Sequence, residues 1–158
     1  MKARTVTHGT FVIERSYPVP PQRVFAAFAD PAKKQRWFAA GDEPEVESFE
    51  MDFRIGGTER KRFKVKQLGF VCENNTIYQD IVPDSRIIFV YTMSAAGRVI
   101  SSSQATVELF PTEKGTDLIF TEQGAFFENS DGPQGREHGW GLLLDQLARA
   151  LANSTGKK

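Results

Sequence analysis

Trp140-Gly141-Leu142-Leu143-Leu144-Asp145-Gln146-Leu147-Ala148-Arg149-Ala150-Leu151 is the stretch on which the architecture turns. Trp140, Leu143, Leu144, Leu147 and Leu151 fall at i, i+3, i+4, i+7 and i+11, which makes one apolar stripe on a helix. Asp145, Gln146 and Arg149 lie on the opposite face. The helix is expected to run from about Pro133 or Gln134 to Ala152. At 1.5 Å per residue it would be about 27–30 Å long, enough to cover the apolar face of a sheet.

Upstream the sequence supplies that sheet. Glu45 to Ile55 alternates, with Phe49, Met51, Phe53 and Ile55 on one face and Glu50, Asp52 and Arg54 on the other. Gly56-Gly57 reads as a hairpin turn, and Phe63 and Val65 continue the apolar face on the return. The expected register sets Ile55 opposite Glu59, Met51 opposite Phe63 and Phe49 opposite Val65. It also sets Glu50 against Lys64 and Asp52 against Arg62, cross-strand pairs worth roughly 0.2–1 kcal/mol each. Further strands are predicted at about 70–82, 86–94, 98–110 and 116–126. Pro83-Asp84-Ser85, Ala95-Ala96-Gly97 and Pro111-Thr112-Glu113-Lys114-Gly115 separate them. Short turns between consecutive strands predict an antiparallel meander.

Before this run, Gly9 to Ser16 reads as a first strand, ended by Pro18, Pro20 and Pro21. Pro21 suits the first turn of a short helix carrying Val24, Phe25 and Phe28, and Asp30 suits the cap of a second one reaching Trp37-Phe38. The expectation is one α+β domain over residues 1–158, with its core at about 9–152 and a polar tail at 153–158. A curved antiparallel sheet of about six or seven strands would wrap the C-terminal helix, and the space between them would form an internal cavity.

Composition narrows the function classes. Lys plus Arg and Asp plus Glu are both 20, so the formal charge is zero and an acidic polymer is not the expected partner. The one cysteine, Cys72, rules out an intramolecular disulfide and fits a reduced, cytoplasmic setting. Met1 to His8 has charge without an apolar run behind it, so no secretory signal is expected. No stretch approaches the roughly 20 apolar residues of a membrane span. His8 and His138 have no ligand spacing, so neither metal nor cofactor is expected, and His138 reads as a first-turn helix residue. Arg60-Lys61-Arg62, with Lys64 and Lys66, is the sharpest charge run. Glu45, Glu47, Glu50 and Asp52 on the adjacent strand would neutralise it, so no nucleic-acid binding is expected.

Several of these segments resemble a known family. They are Gly56-Gly57, Tyr78-Gln79-Asp80-Ile81-Val82-Pro83-Asp84, Thr121-Glu122-Gln123-Gly124-Ala125-Phe126 and the terminal Gly-Trp-x-x-x-Leu-x-x-Leu. Phe28-Ala29-Asp30-Pro31 followed by Trp37 belongs with them. The set resembles the SRPBCC superfamily, the START and birch-pollen-allergen helix-grip folds, and within it the family named after the activator of the heat-shock chaperone ATPase. The likeness runs from the first strand to Leu151. It implies a helix-grip fold whose members include co-chaperone domains, polyketide cyclases and lipid carriers, with no shared catalytic residue to carry over.

Strand phase supplies the candidate site. Glu59 shares its phase with Phe63, and Glu122 with Leu118 and Phe120, so both carboxylates are expected to face the cavity. Pairing with an Arg or Tyr would make these carboxylates structural, and otherwise they could orient a ligand; Lys61, on the Glu59 face, is a candidate charge partner. Ser101 and Ser103 make one strand centre small and polar, and Tyr78 and Tyr91 could present hydroxyls to the same space. Phe63, Phe120, Tyr91, Trp140 and Leu144 are candidate walls. The leading reading is a non-catalytic binder or carrier of a small hydrophobic or lipid-like molecule, with a homodimer as an allowed assembly. Its rivals are a cyclase or dehydratase using Glu59 or Glu122 as base, and a co-chaperone-like interaction module. The co-chaperone is expected to need a further N-terminal domain.

Overall fold

The computed structural model describes residues 2–40 and 44–154. The elements follow the order β1 (Val6–Tyr17), α1 (Pro21–Ala29), α2 (Pro31–Phe38), β2 (Glu45–Met51), β3 (Thr58–Lys64), β4 (Val71–Val82), β5 (Arg86–Ala95), β6 (Arg98–Thr112), β7 (Gly115–Phe127) and α3 (Gly132–Ser154). All seven strands form one antiparallel sheet in the order β1-β7-β6-β5-β4-β3-β2. The sheet curves around α3, the helix-grip α+β arrangement that the sequence led us to expect.

Local chemistry accounts for most boundaries. Pro21 opens α1, and Asp30 caps α2 by accepting from the N–H groups of Ala32 and Lys33. The four strands from β4 to β7 begin and end within two residues of their predicted limits, because each lies between turn residues that cannot continue a ladder. Helix α3 starts slightly earlier than its apolar stripe suggests, which puts His138 in its second turn rather than its first. The helix still continues at Asn153, and the rest of the expected tail, 155–158, lies outside the described residues.

The β2–β3 hairpin departs from expectation. Met51, not Ile55, stands opposite Glu59, while Glu50 meets Arg60, Phe49 meets Lys61 and Val46 meets Phe63 across a bulge. The physical reason is the close approach of Gly56-Gly57 to the next strand. Gly56 N–H donates to Tyr78 O at 2.8 Å, and Tyr78 N–H donates to Gly57 O at 3.0 Å. A Cβ on Gly57 would lie 2.1 Å from Asp52 O, so only glycine fits the fold-back. Residues 52–57 therefore form a docked loop rather than a two-residue turn. Phe53 leaves the ladder to pack edge-on against Phe25 and Tyr78, and Ile55 is 60% exposed instead of facing the core. The exposed ion pairs change with the register. Arg62 lies near Glu47 and Glu73, Arg60 near Glu73, and Asp52 pairs with Arg54. The neighbours expected for Arg62 and Lys64, Asp52 and Glu50, are elsewhere, although acidic side chains still line the outer face of the basic run.

The core lies between the concave face of the sheet and α3. Trp140, Leu144, Leu147 and Leu151 are buried, and they meet Phe11, Ile13, Val107, Leu118 and Phe120 in one cluster. The helix rests on β1 and β7 and on α2, where Phe38 stacks on Trp140 with ring centroids 5.7 Å apart. Tyr17 OH donates to Leu144 O at 3.0 Å, and Arg15 of β1 pairs with Asp145. Over β3, β4 and β5 the helix backbone stands off the sheet, and the Arg136 and Trp140 side chains bridge to Tyr91 of β5.

Candidate binding site

Two buried charge clusters face the interior, one at each side of the helix. The first centres on Arg136, one turn before Trp140 and on the same stripe. Its Nε and Nη2 donate to the two oxygens of Asp131 at 2.9 and 3.0 Å. Nη2 also donates to Ser101 Oγ at 2.8 Å, and Nη1 donates to Tyr91 OH at 3.0 Å. The Tyr91 hydroxyl accepts again from Trp140 Nε1 at 3.2 Å and donates to the Glu122 carboxylate, whose oxygens lie 2.8 and 2.9 Å away. Glu122 is completely buried, 3.6 Å from Arg136. Burial raises its pKa, and the Arg136 charge and the Tyr91 hydrogen bond only partly offset that. The Tyr91 hydroxyl is likewise pushed well above its usual range, first by burial and then by the Glu122 charge. Ser103 Oγ lies beside Glu122 without meeting hydrogen-bond geometry. A Cβ on Gly124 would come within 2.5 Å of that oxygen, so the glycine leaves the serine its space.

The second cluster centres on Glu59. Lys34 Nζ of α2 and Tyr78 OH both donate to Glu59 Oε1, each at 2.5 Å. All three side chains are buried. Lys61, two residues along β3, is also buried and 3% exposed, and its Nζ lies 4.1 Å from the centre of the Phe38 ring and 4.9 Å from that of Phe63. Among the described residues it has no hydrogen bond and no ion pair. Burial lowers its pKa to about 8, against the opposing pull of Glu59, and the Lys34 charge lowers it further.

Between the clusters lies a partly open cavity of about 230 Å³. Its walls are Phe38, Phe63, Met93, Trp140 and Leu143, with Lys61, Asn74, Tyr91 and Arg136 supplying polar atoms. Asn74 stands directly opposite Lys61 in the ladder, and its Oδ1 is buried with no partner. A larger groove of about 650 Å³ lies open on the outer face of β2–β6, around Arg60, Ile77, Val90 and Thr92.

Of the candidate site residues chosen from the sequence, Phe63, Tyr91 and Trp140 line the cavity. Glu59, Tyr78, Ser101, Ser103, Phe120, Glu122 and Leu144 all face inward but lie behind its wall, paired or packed. Glu59 is paired by Lys34, and Lys61, its expected partner, interacts with it only through space. Sequence reasoning did not find Lys34, Asn74, Asp131 or Arg136. Signals existed for two of them. Arg136 extends the α3 stripe back by one turn, and Lys34 precedes Trp37 and Phe38 by three and four residues on an apolar helix face.

Among the described residues no group of three His, Cys, Asp or Glu is placed to hold a metal, and no helix is long and apolar enough to cross a membrane. A family model described as Activator of Hsp90 ATPase homolog 1-like protein matches residues 18–152. The Mll3558 protein from Rhizobium loti is 47% identical over 93% of this chain and 99% of its own, with a TM-score of 0.84. An uncharacterised protein from Rhizobium leguminosarum is 37% identical over 96% and 99%, with a TM-score of 0.88. CV1439 from Chromobacterium violaceum is 27% identical over 90% and 96%, with a TM-score of 0.74. No curated protein matches the chain significantly.

Proposed function

The chain belongs to the Activator of Hsp90 ATPase homolog 1-like protein family, and from that premise we propose that it binds or carries a small, largely apolar molecule between α3 and strands β3–β5, without converting it. The observation that carries this reading is the cavity itself. Aromatic and aliphatic side chains form its walls, and two polar groups that reach it, Lys61 and the Asn74 oxygen, lack hydrogen-bond partners among the described residues. Its 230 Å³ is a little below the roughly 300–1,000 Å³ of sites for drug-sized ligands, so the molecule is small.

A cyclase or dehydratase would need a carboxylate free to take a proton from substrate. Both candidates are occupied, Glu59 by Lys34 and Tyr78, and Glu122 by Tyr91 and Arg136. An interaction module would favour one broad apolar patch. The exposed large apolar residues are instead spread over β1, β4, β6, α3 and two loops.

Titration with N-phenyl-1-naphthylamine, a neutral apolar fluorophore, tests the reading. One probe should bind per chain, and Met93→Trp, which fills the cavity, should weaken binding at least tenfold without lowering the melting temperature. Binding that ignores the filled cavity would place the ligand elsewhere.

A further inference from the structure

Resting on the reading above, we infer that the bound molecule carries a single negative charge, a carboxylate, and seats it on the Lys61 amine with the Asn74 amide beside it. Charge bookkeeping leads there. Around Lys61 the charged groups are Glu59 on its own strand and Lys34 on α2. Asp131 and Arg136 face it across the cavity from α3 and its approach, and Tyr91 of β5 contributes only a neutral hydroxyl. Glu59 spends its Oε1 on Lys34 and Tyr78, and Asp131 is held by two nitrogens of Arg136. Near Lys61 there are thus two lysines and one carboxylate, and the unmatched cation is the one on the cavity wall.

A buried ammonium without a counter-charge is costly to desolvate unless it loses its proton or gains an anion. The lowered pKa of Lys61 reports that tension. A monoanion would relieve it, and one negative charge within reach of Lys61 is what the group of Lys34, Glu59 and Lys61 lacks. Asn74 fits the same head group. Its Oδ1 has no partner, so turning the amide breaks no hydrogen bond of that oxygen and brings the NH2 end toward a carboxylate oxygen. The rings of Phe38 and Phe63 flank the amine and keep water from competing. The apolar tail would then lie along Met93, Trp140 and Leu143.

Octanoate and 1-octanol share a tail and differ in charge, so displacement of N-phenyl-1-naphthylamine by each is the test. At pH 6.5 octanoate should bind at least tenfold tighter than octanol. That advantage should decline by about tenfold per pH unit above about 8, as free Lys61 loses its proton, while octanol affinity stays level. Lys61→Met should bring octanoate down to the octanol value and leave octanol alone. The Lys61 13Cε resonance of the wild type supplies a readout independent of any variant's folding. Its titration midpoint should move up by at least one pH unit when octanoate is present. Equal affinity for the two ligands in the wild type, or a midpoint that octanoate does not move, overturns the carboxylate assignment and leaves the cavity reading standing. Failure of both ligands to displace a bound probe overturns the assignment too, and failure of the probe itself to bind removes the cavity reading.

Discussion

The space beneath α3 has two halves that treat buried charge differently. On the β1–β7 side the helix sits directly on the sheet, and Phe120 meets Trp140 with ring centroids 4.4 Å apart. The Glu122 carboxylate there is enclosed by Tyr91 and Arg136, and Arg136 is fully used in turn by Asp131, Ser101 and Tyr91. On the β3–β5 side the helix backbone stands off, and the Lys61 amine and the Asn74 Oδ1 face the gap without hydrogen-bond partners among the described residues. Burial of charge is common to both halves, so it does not by itself mark a site. Incomplete satisfaction does, because a closed network specifies a core while an open one leaves bonds for something else to make.

The sharpest way to break this contrast is Arg136→Met. It strips the ion pair from a fully buried Glu122 and leaves Asp131 unmatched, and it should cost about 3–5 kcal/mol in urea unfolding. A loss below about 1 kcal/mol would mean that the first network does not hold the core. Lys61→Met should act in the opposite direction. The folded pKa of Lys61 lies below its usual value, so the folded protein binds fewer protons than the unfolded chain between about 8 and 10.5. Wild-type stability should therefore rise across that window. The variant, freed of a buried unpaired charge, should be more stable by about 1–3 kcal/mol at pH 7 and show a flatter profile. A destabilised variant would make Lys61 a structural residue and erase the difference between the halves.

Smaller effects sharpen the contrast. Glu122→Gln keeps an acceptor for Tyr91 and ends the burial of a charge, so at pH 7 it should shift stability by no more than about 1 kcal/mol. The folded pKa of Glu122 is raised, so its contribution is complete below about 4.5 and is lost as pH rises through the folded value. Urea unfolding against pH should show that decline in the wild type and not in the variant. Smallest of all, Arg62→Ala on the exposed outer face should change stability by less than about 0.5 kcal/mol. The wild type should show no salt-sensitive affinity for duplex DNA in a filter-binding assay, and an affinity that is lost on replacing Arg60 and Arg62 would overturn the paired-strand reading.

Much of this was legible in the sequence, for identifiable reasons. Turn residues bracket β4 to β7, and the α3 stripe names Trp140, Leu144 and Leu147 as the covering face, so both follow from local rules. Strand phase also placed Glu59 and Glu122 inside correctly. The β2–β3 register did not follow, because the Gly56-Gly57 loop is fixed by hydrogen bonds to Tyr78, some twenty residues away, and not by hairpin geometry. The cavity's position was hidden for a related reason. Which inward residues the helix covers depends on the curvature accumulated over seven strands, so phase alone could not separate Phe63, on the open side, from Phe120, on the filled one. Lys34 and Arg136 escaped because a charged residue gives no hydrophobic signal of its own, although their spacing puts them on an apolar helix face.

The chain's methionines allow the most direct test. Met93 lies on the cavity wall, and Met51 lies at the end of β2 away from it. With 13C-methyl methionine labelling, titration with 1-octanol should shift the Met93 resonance in a saturable, one-site manner and leave Met51 nearly unmoved. Saturable shifts of Met51 with Met93 still, or no saturable shift of either, would contradict a ligand site between α3 and strands β3–β5.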